Sequence, residues 1–237
     1  MKFKPFLVFL AVIFVLLPGA GSAFVFDAPH LLYRVAEKIK EPIGISVDQV
    51  RRQMNPEHAV SSFDDLEEKL VFSFPGRFRS QVVSGAMTGM TVQNDTGFVK
   101  VVDSQPAVRA KSLEDHYWDI LLYRDYERLL DQLEQVGIDT RTVSFQRYNG
   151  RVCYVIGDAR GSGVWIEKET FFPIKYVIEK EGRVAEFFYD NWQRVSKTWY
   201  PLAGSIFISN QLLCLINVTH WELASRIDPS LFDQNQY

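Results

Sequence analysis

Between residues 142 and 224, apolar and polar positions alternate in short runs separated by turn residues. The runs fall at 142–147, 151–156, 164–166, 174–179 and 183–189, and two longer β-rich segments flank Leu202-Ala203-Gly204. Asn149-Gly150 is a two-residue hairpin signal, because both residues tolerate the positive φ that such a turn needs. Glu181-Gly182 closes the next hairpin in a similar way. β-Branched and aromatic residues recur with this punctuation, so the stretch predicts one meandering antiparallel sheet.

The rest of the chain adds helices and further strands. Residues 28–40 set Leu31, Leu32, Val35 and Ile39 at helical spacing, with Asp27 as N-cap, Pro29 in the first turn and Pro42 as the stop. A second short helix is predicted around residues 47–54, capped by Ser46. Residues 65–83 read as strand, Pro75-Gly76 turn and strand, since Pro then Gly suits the centre of a type II turn. Residues 85–89 form another turn, and 90–92 and 97–103 extend the sheet. Arg77 and Arg79 share one face of their strand and read as solvated. Residues 113–123 fit helix or strand. The pattern at 124–136 is clearer: Leu129, Leu130, Leu133 and Val136 make a stripe, Asp125 opens it and Gly137 lies just past its end. A short turn ends the tail at 223–232, and 234–237 fray. Helix, strands, one inserted helix and more strands predict an α+β domain built on an antiparallel sheet.

The first 23 residues change the compartment. A basic start, an apolar run from Pro5 to Leu17 and small residues up to Ala23 are the parts of a secretory signal peptide. Cleavage is expected after Ala23, with Ala20 as second choice and an uncleaved anchor helix as the other reading. No Cys follows the small residues, so no lipoprotein-type attachment is expected. Residues 24–237 then make one domain, about 214 residues being enough for a sizeable core. That mature chain carries 24 basic against 29 acidic side chains, without basic runs. It offers no electrostatic footprint for nucleic acid. Export permits a disulfide between Cys153 and Cys214. Both sit in strand-like runs, where Cys is commonly a small buried apolar residue, and the pairing stays open.

Catalytic motifs are missing. No phosphate loop, nucleophile elbow, His-Glu-x-x-His or Cys-x-x-Cys occurs. Gly161-Ser162-Gly163 joins two strands rather than opening a helix, so it lacks the helix N-terminus that phosphate loops use. Asp115-His116 are sequence neighbours that rarely face each other. The four histidines are dispersed. The expectation is therefore a non-enzyme without cofactor or metal.

What remains is hydrophobicity. Across 164–166, 176–178, 184–189 and 205–218 both alternating sets are apolar or aromatic, whereas a sheet with one face in water alternates with polar residues. Two apolar faces require two covers. One reading is a closed or sandwiched sheet; the other is an open, curved sheet whose concave face takes an apolar ligand under a helical lid.

Three stretches carry a resemblance: 72–80 (FSFPGRFRS), 148–157 (YNGRVCYVIG) and 164–175 (VWIEKETFFPIK). With the order of elements, they make the chain resemble a divergent branch of the periplasmic lipoprotein-carrier superfamily, the LolA/LolB-like outer-membrane lipoprotein-sorting proteins. That resemblance implies an unclosed antiparallel half β-barrel with a helical lid, holding acyl chains of a lipoprotein or lipid on the way to the outer membrane. It also implies membrane donor and acceptor partners and a monomer. Candidate cavity residues are Phe72, Phe74, Trp165, Tyr176, Ile178, Phe187 and Tyr189; alternation does not say which face is concave. The competing expectation is a non-catalytic interaction module of the same fold, binding a protein by its sheet edge or convex face.

Overall fold

The first and last strands among the described residues pair with each other in the middle of one antiparallel sheet. This is seen in a computed structural model, which describes residues 26–38, 43–55, 62–85, 87–103 and 105–236. Among them are twelve strands. The first five are β1 (Gly44–Asn55), β2 (Ser62–Ser73), β3 (Arg77–Ser84), β4 (Gly89–Asn94) and β5 (Gly97–Val102). The next four are β6 (Val143–Tyr148), β7 (Arg151–Gly157), β8 (Gly163–Glu167) and β9 (Pro173–Lys180). The last three are β10 (Arg183–Val195), β11 (Thr198–Ile208) and β12 (Gln211–Ala224). The order is β5-β4-β3-β2-β1-β12-β11-β10-β9-β8-β7-β6. It is two meanders joined by the β1–β12 ladder.

This order has a topological consequence. β5 and β6 follow one another in sequence but lie at opposite edges of the sheet. Their connection must cross the sheet, and it does so as helix. It holds a 3-10 helix (Leu113–Trp118), α2 (Asp119–Leu122) and α3 (Tyr126–Gln135). With α1 (Ala28–Lys38) these elements cover one face, here called inner. The sheet is an unclosed half-barrel under a helical lid.

Local chemistry explains most of these elements. Asp27 caps α1 by accepting from the His30 amide, and Leu31, Leu32 and Val35 form its buried stripe, as the spacing predicts. Ile39, the last stripe residue expected, lies outside the described residues, as do Pro42 and the expected signal peptide at 1–23. Asp125 caps α3 by accepting from the Glu127 and Arg128 amides, and Gly137 follows with φ +89°. Asn149-Gly150 and Glu181-Gly182 both turn with positive φ, closing their hairpins. The ambiguous stretch 113–123 is helical as far as Leu122, with Tyr123 its extended cap.

Three expectations change. Residues 47–54 are strand, not helix: β1 is paired along its length by β12 and β2, and that pairing overrides a local pattern that fits both periods. Arg79 is not free in solvent, because it donates to the Leu231 carbonyl at 3.2 Å. Nor does Gln234 fray; it is buried and donates to the Gly97 carbonyl at 2.6 Å, tying the tail to β5. Cys153 and Cys214 are free thiols on opposite faces of the sheet. No helix among the described residues is long and apolar enough to cross a membrane.

Candidate functional site

Antiparallel register assigns each sheet residue to one face. Phe72 faces Ile45 on β1 and Phe78 on β3; Phe187 faces Tyr176 on β9 and Ile206 on β11. Among the predicted residues, Phe72, Tyr176, Ile178, Phe187 and Tyr189 all join the inner core, and Phe74 packs at its margin. Trp165 does not. It sits between Val164 and Ile166, both inward, so the pleat sends it to the outer face with Cys153, Val155, Ile174 and Val177. Lys175 there lies 5.1 Å from the Trp165 ring, 5.5 Å from Tyr148 and 5.4 Å from Phe188, and pairs with Glu186 at 2.7 Å.

The lid reaches into the inner face with its own apolar side chains. Leu31, Leu32, Ile120, Leu121, Leu122, Leu129 and Leu133 are buried against the sheet. Tyr117 stacks on Tyr189 at 5.0 Å, and the Tyr189 hydroxyl donates to the Tyr117 carbonyl at 2.7 Å. Gly204 permits this approach: a Cβ there would collide with the Tyr117 ring and hydroxyl. Trp118 stacks on Phe78 at 5.3 Å. The Arg124 guanidinium lies 4.0 Å from the Phe74 ring centre, and burial lowers its pKa to about 9. Tyr123 accepts from Gln93 Nε2 at 2.8 Å; burial lifts its hydroxyl to about 12.

One buried carboxylate organises the lid. Asp119 is 0% exposed. Its oxygens lie 2.7 Å from Lys111 Nζ, 2.8 Å from His116 Nδ1 and 2.9 Å from Gln132 Nε2 of α3. Burial alone would raise its pKa, but Lys111 and His116 together outweigh burial and hold it below the ordinary Asp value. So of the pair Asp115-His116, each member has a separate partner: His116 meets Asp119, and Asp115 meets Lys100 at 2.9 Å.

Two openings flank this packing. One, of about 250 Å³, lies on the inner face where β1–β5 meet β11 and β12, bordered by Trp118. Its wall mixes apolar side chains with Gln53, Ser80 and Thr91, and its floor carries Arg51, Glu68, Lys100, Glu114 and Asp115. The sequence reading missed this floor because Arg51 fell in the predicted helix at 47–54. The signal was available as the polar series Gln49, Arg51 and Gln53 at strand spacing. The other opening, about 620 Å³, is an outer-face cleft between the β6–β7 turn and β10–β12, lined by Tyr148, Phe188 and Phe207. No group of three side chains suited to a metal ion occurs among the described residues.

No protein-family model matches the chain, and no curated protein matches it. Solved structures do. A LolA superfamily protein from Nitrosomonas europaea superposes with a TM-score of 0.61 at 13% identity, over 90% of this chain and 100% of that one. A proposed outer membrane lipoprotein-sorting protein domain from Vibrio parahaemolyticus gives 0.61 at 11% identity, over 88% and 97%. A DUF1329 family protein from Desulfovibrio piger gives 0.56 at 11%, over 89% and 99%. At these identities the likeness establishes the fold: a LolA-like half-barrel with a lid.

Proposed function

We propose that the protein is a periplasmic carrier that shields the acyl chains of a lipoprotein or lipid inside its half-barrel during transit to the outer membrane. The observation that carries this reading is the cover of the inner face. The apolar part of the inner face is closed by short helices whose own leucines fill the space a hydrocarbon would occupy. Magnitudes favour exchange. A chain of about 16 methylenes gains about 13 kcal/mol at ~0.8 kcal/mol each, close to what five or six buried leucines contribute. Loading and release are then both near balance, as a carrier requires.

The secretory pattern at residues 1–23 supports export, and the likeness to sorting proteins supports transit between membranes with donor and acceptor proteins. In this reading the protein is monomeric and does no covalent chemistry. The test is to express the full chain, purify it from the periplasm and extract bound lipid for mass spectrometry. Lipid near one equivalent, with tryptophan quenching on adding an acylated peptide, is expected; absence of both sinks the carrier.

A second reading, a non-catalytic interaction module of this fold, draws on one observation. The larger of the two openings lies outside the barrel. Equal binding of acylated and unacylated peptide, at the outer face, would favour it.

A further inference from the structure

The inner-face opening is not simply the uncovered end of an apolar chamber. Val82, Val102, Ile206 and Leu213 wall it, but its floor is ionic. Glu68 is only 3% exposed and is fixed from two sides, accepting from Gln49 Nε2 at 2.7 Å and pairing with Arg51 at 3.1 Å. Lys100 is held by Asp115 at 2.9 Å and Glu114 at 3.4 Å. Placing charges beside a hydrocarbon pocket costs solvation, and structure that is only a container gains nothing by it.

One atom of this floor points to a ligand. Arg51, which lines the opening, has its Nε buried without an acceptor among the described residues. Buried polar groups in folded proteins are nearly always paired. The balance of charge restricts what can pair with the arginine. Three carboxylates face two cations, so a carboxylate or phosphate head would add to an existing negative excess. An uncharged oxygen acceptor meets Arg51 without that repulsion. The opening, about 250 Å³, has room for a narrow hydrocarbon chain.

We infer that this opening is a head-group site for a single acyl chain ending in an uncharged carbonyl, an ester or an amide, with Arg51 donating to the carbonyl oxygen. The chain itself would run past Trp118, Ile206 and Ile216 toward the lid core. The assignment rests on the carrier reading and deepens it, because it makes the protein choose its cargo by head group.

Calorimetric titration of the full mature chain with three twelve-carbon ligands tests it: monolauroylglycerol (ester), N-lauroylethanolamine (amide) and laurate (carboxylate). Ester, amide or both should bind at least about tenfold more tightly than laurate at neutral pH, the weight of one hydrogen bond to a charged donor; which of them does so identifies the linkage. Arg51→Lys keeps the positive charge beside Glu68 but removes the Nε–H. It should cost that tenfold preference while leaving the thermal midpoint near wild type. Val82→Trp, which fills the opening from its wall, should abolish binding of all three. Equal affinities for the three ligands, tightest binding of laurate, or an Arg51→Lys variant with undiminished preference would overturn the head-group site and leave the carrier standing. No binding by any of the three would remove both.

Discussion

The two ends of the inner face solve opposite problems. Under β7–β10 the face is apolar: Tyr154, Ile156, Val164, Ile166, Tyr176 and Phe187 share one buried cluster with the lid. Under β1–β5 the same face turns ionic, with Glu68 four residues before Phe72 on β2 and Lys100 two residues after Phe98 on β5. Packing of the first kind excludes water and everything else while the lid is down. Packing of the second leaves a passage. In the carrier reading the difference marks where cargo would enter: the apolar half of the lid seals, and its 3-10 start borders the opening.

Substitutions should separate the two ends sharply. The largest effect is expected at the apolar end, where Phe187→Ala should cost about 3–5 kcal/mol of unfolding free energy in a denaturant titration. A loss below about 1 kcal/mol would mean that this end is loosely packed and the comparison fails. Next comes the latch between them. Asp119→Ala strands Lys111 beside α2 and should cost about 3 kcal/mol. Its pH dependence has a definite sign. The folded pKa lies below the unfolded value, so the stabilisation is full above about pH 4 and is lost as acid protonates Asp119 in the folded state. Thermal melts of Asp119→Asn should therefore fall less steeply than wild type as the pH drops below about 4, the ordinary Asp value.

A smaller effect tests how closely the lid seats. Gly204→Ala pushes a methyl into Tyr117 and should cost about 1–3 kcal/mol. Tyr117→Phe in the same chain removes the colliding hydroxyl and should recover part of that loss in a double-mutant cycle. The smallest is a control on the outer face, where Leu215 is 41% exposed. Leu215→Ser should shift stability by no more than about 0.5 kcal/mol and leave acyl-chain binding unchanged.

The strand meander was readable because its turns are encoded locally, in Asn149-Gly150 and Glu181-Gly182, where positive φ is a property of the residues themselves. The helix ends were readable for the same reason, through Asp27, Asp125 and Gly137. What escaped was set at a distance. Val47, Val50, Arg51 and Met54 fit a helical stripe as well as a strand, and only the flanking ladders with β2 and β12 decide between them. Trp165 and Ile166 differ in face, and alternation separates the two sets without saying which one the lid covers. Asp119 gathers Lys111 and Gln132 from eight and thirteen positions away, across turns that no spacing rule predicts. The candidate cavity residues were therefore legible as apolar, while the polar floor beside them was not.

Hydrogen exchange with and without a saturating acylated peptide tests the carrier reading most directly, because it asks whether the lid moves to admit hydrocarbon. Amides of α1, α2 and α3 should lose protection in the complex while those of β7–β10 keep theirs, since the helices leave the face and the sheet stays paired. A bound peptide that leaves the three helices as protected as before would place the cargo elsewhere and contradict a lid-gated chamber.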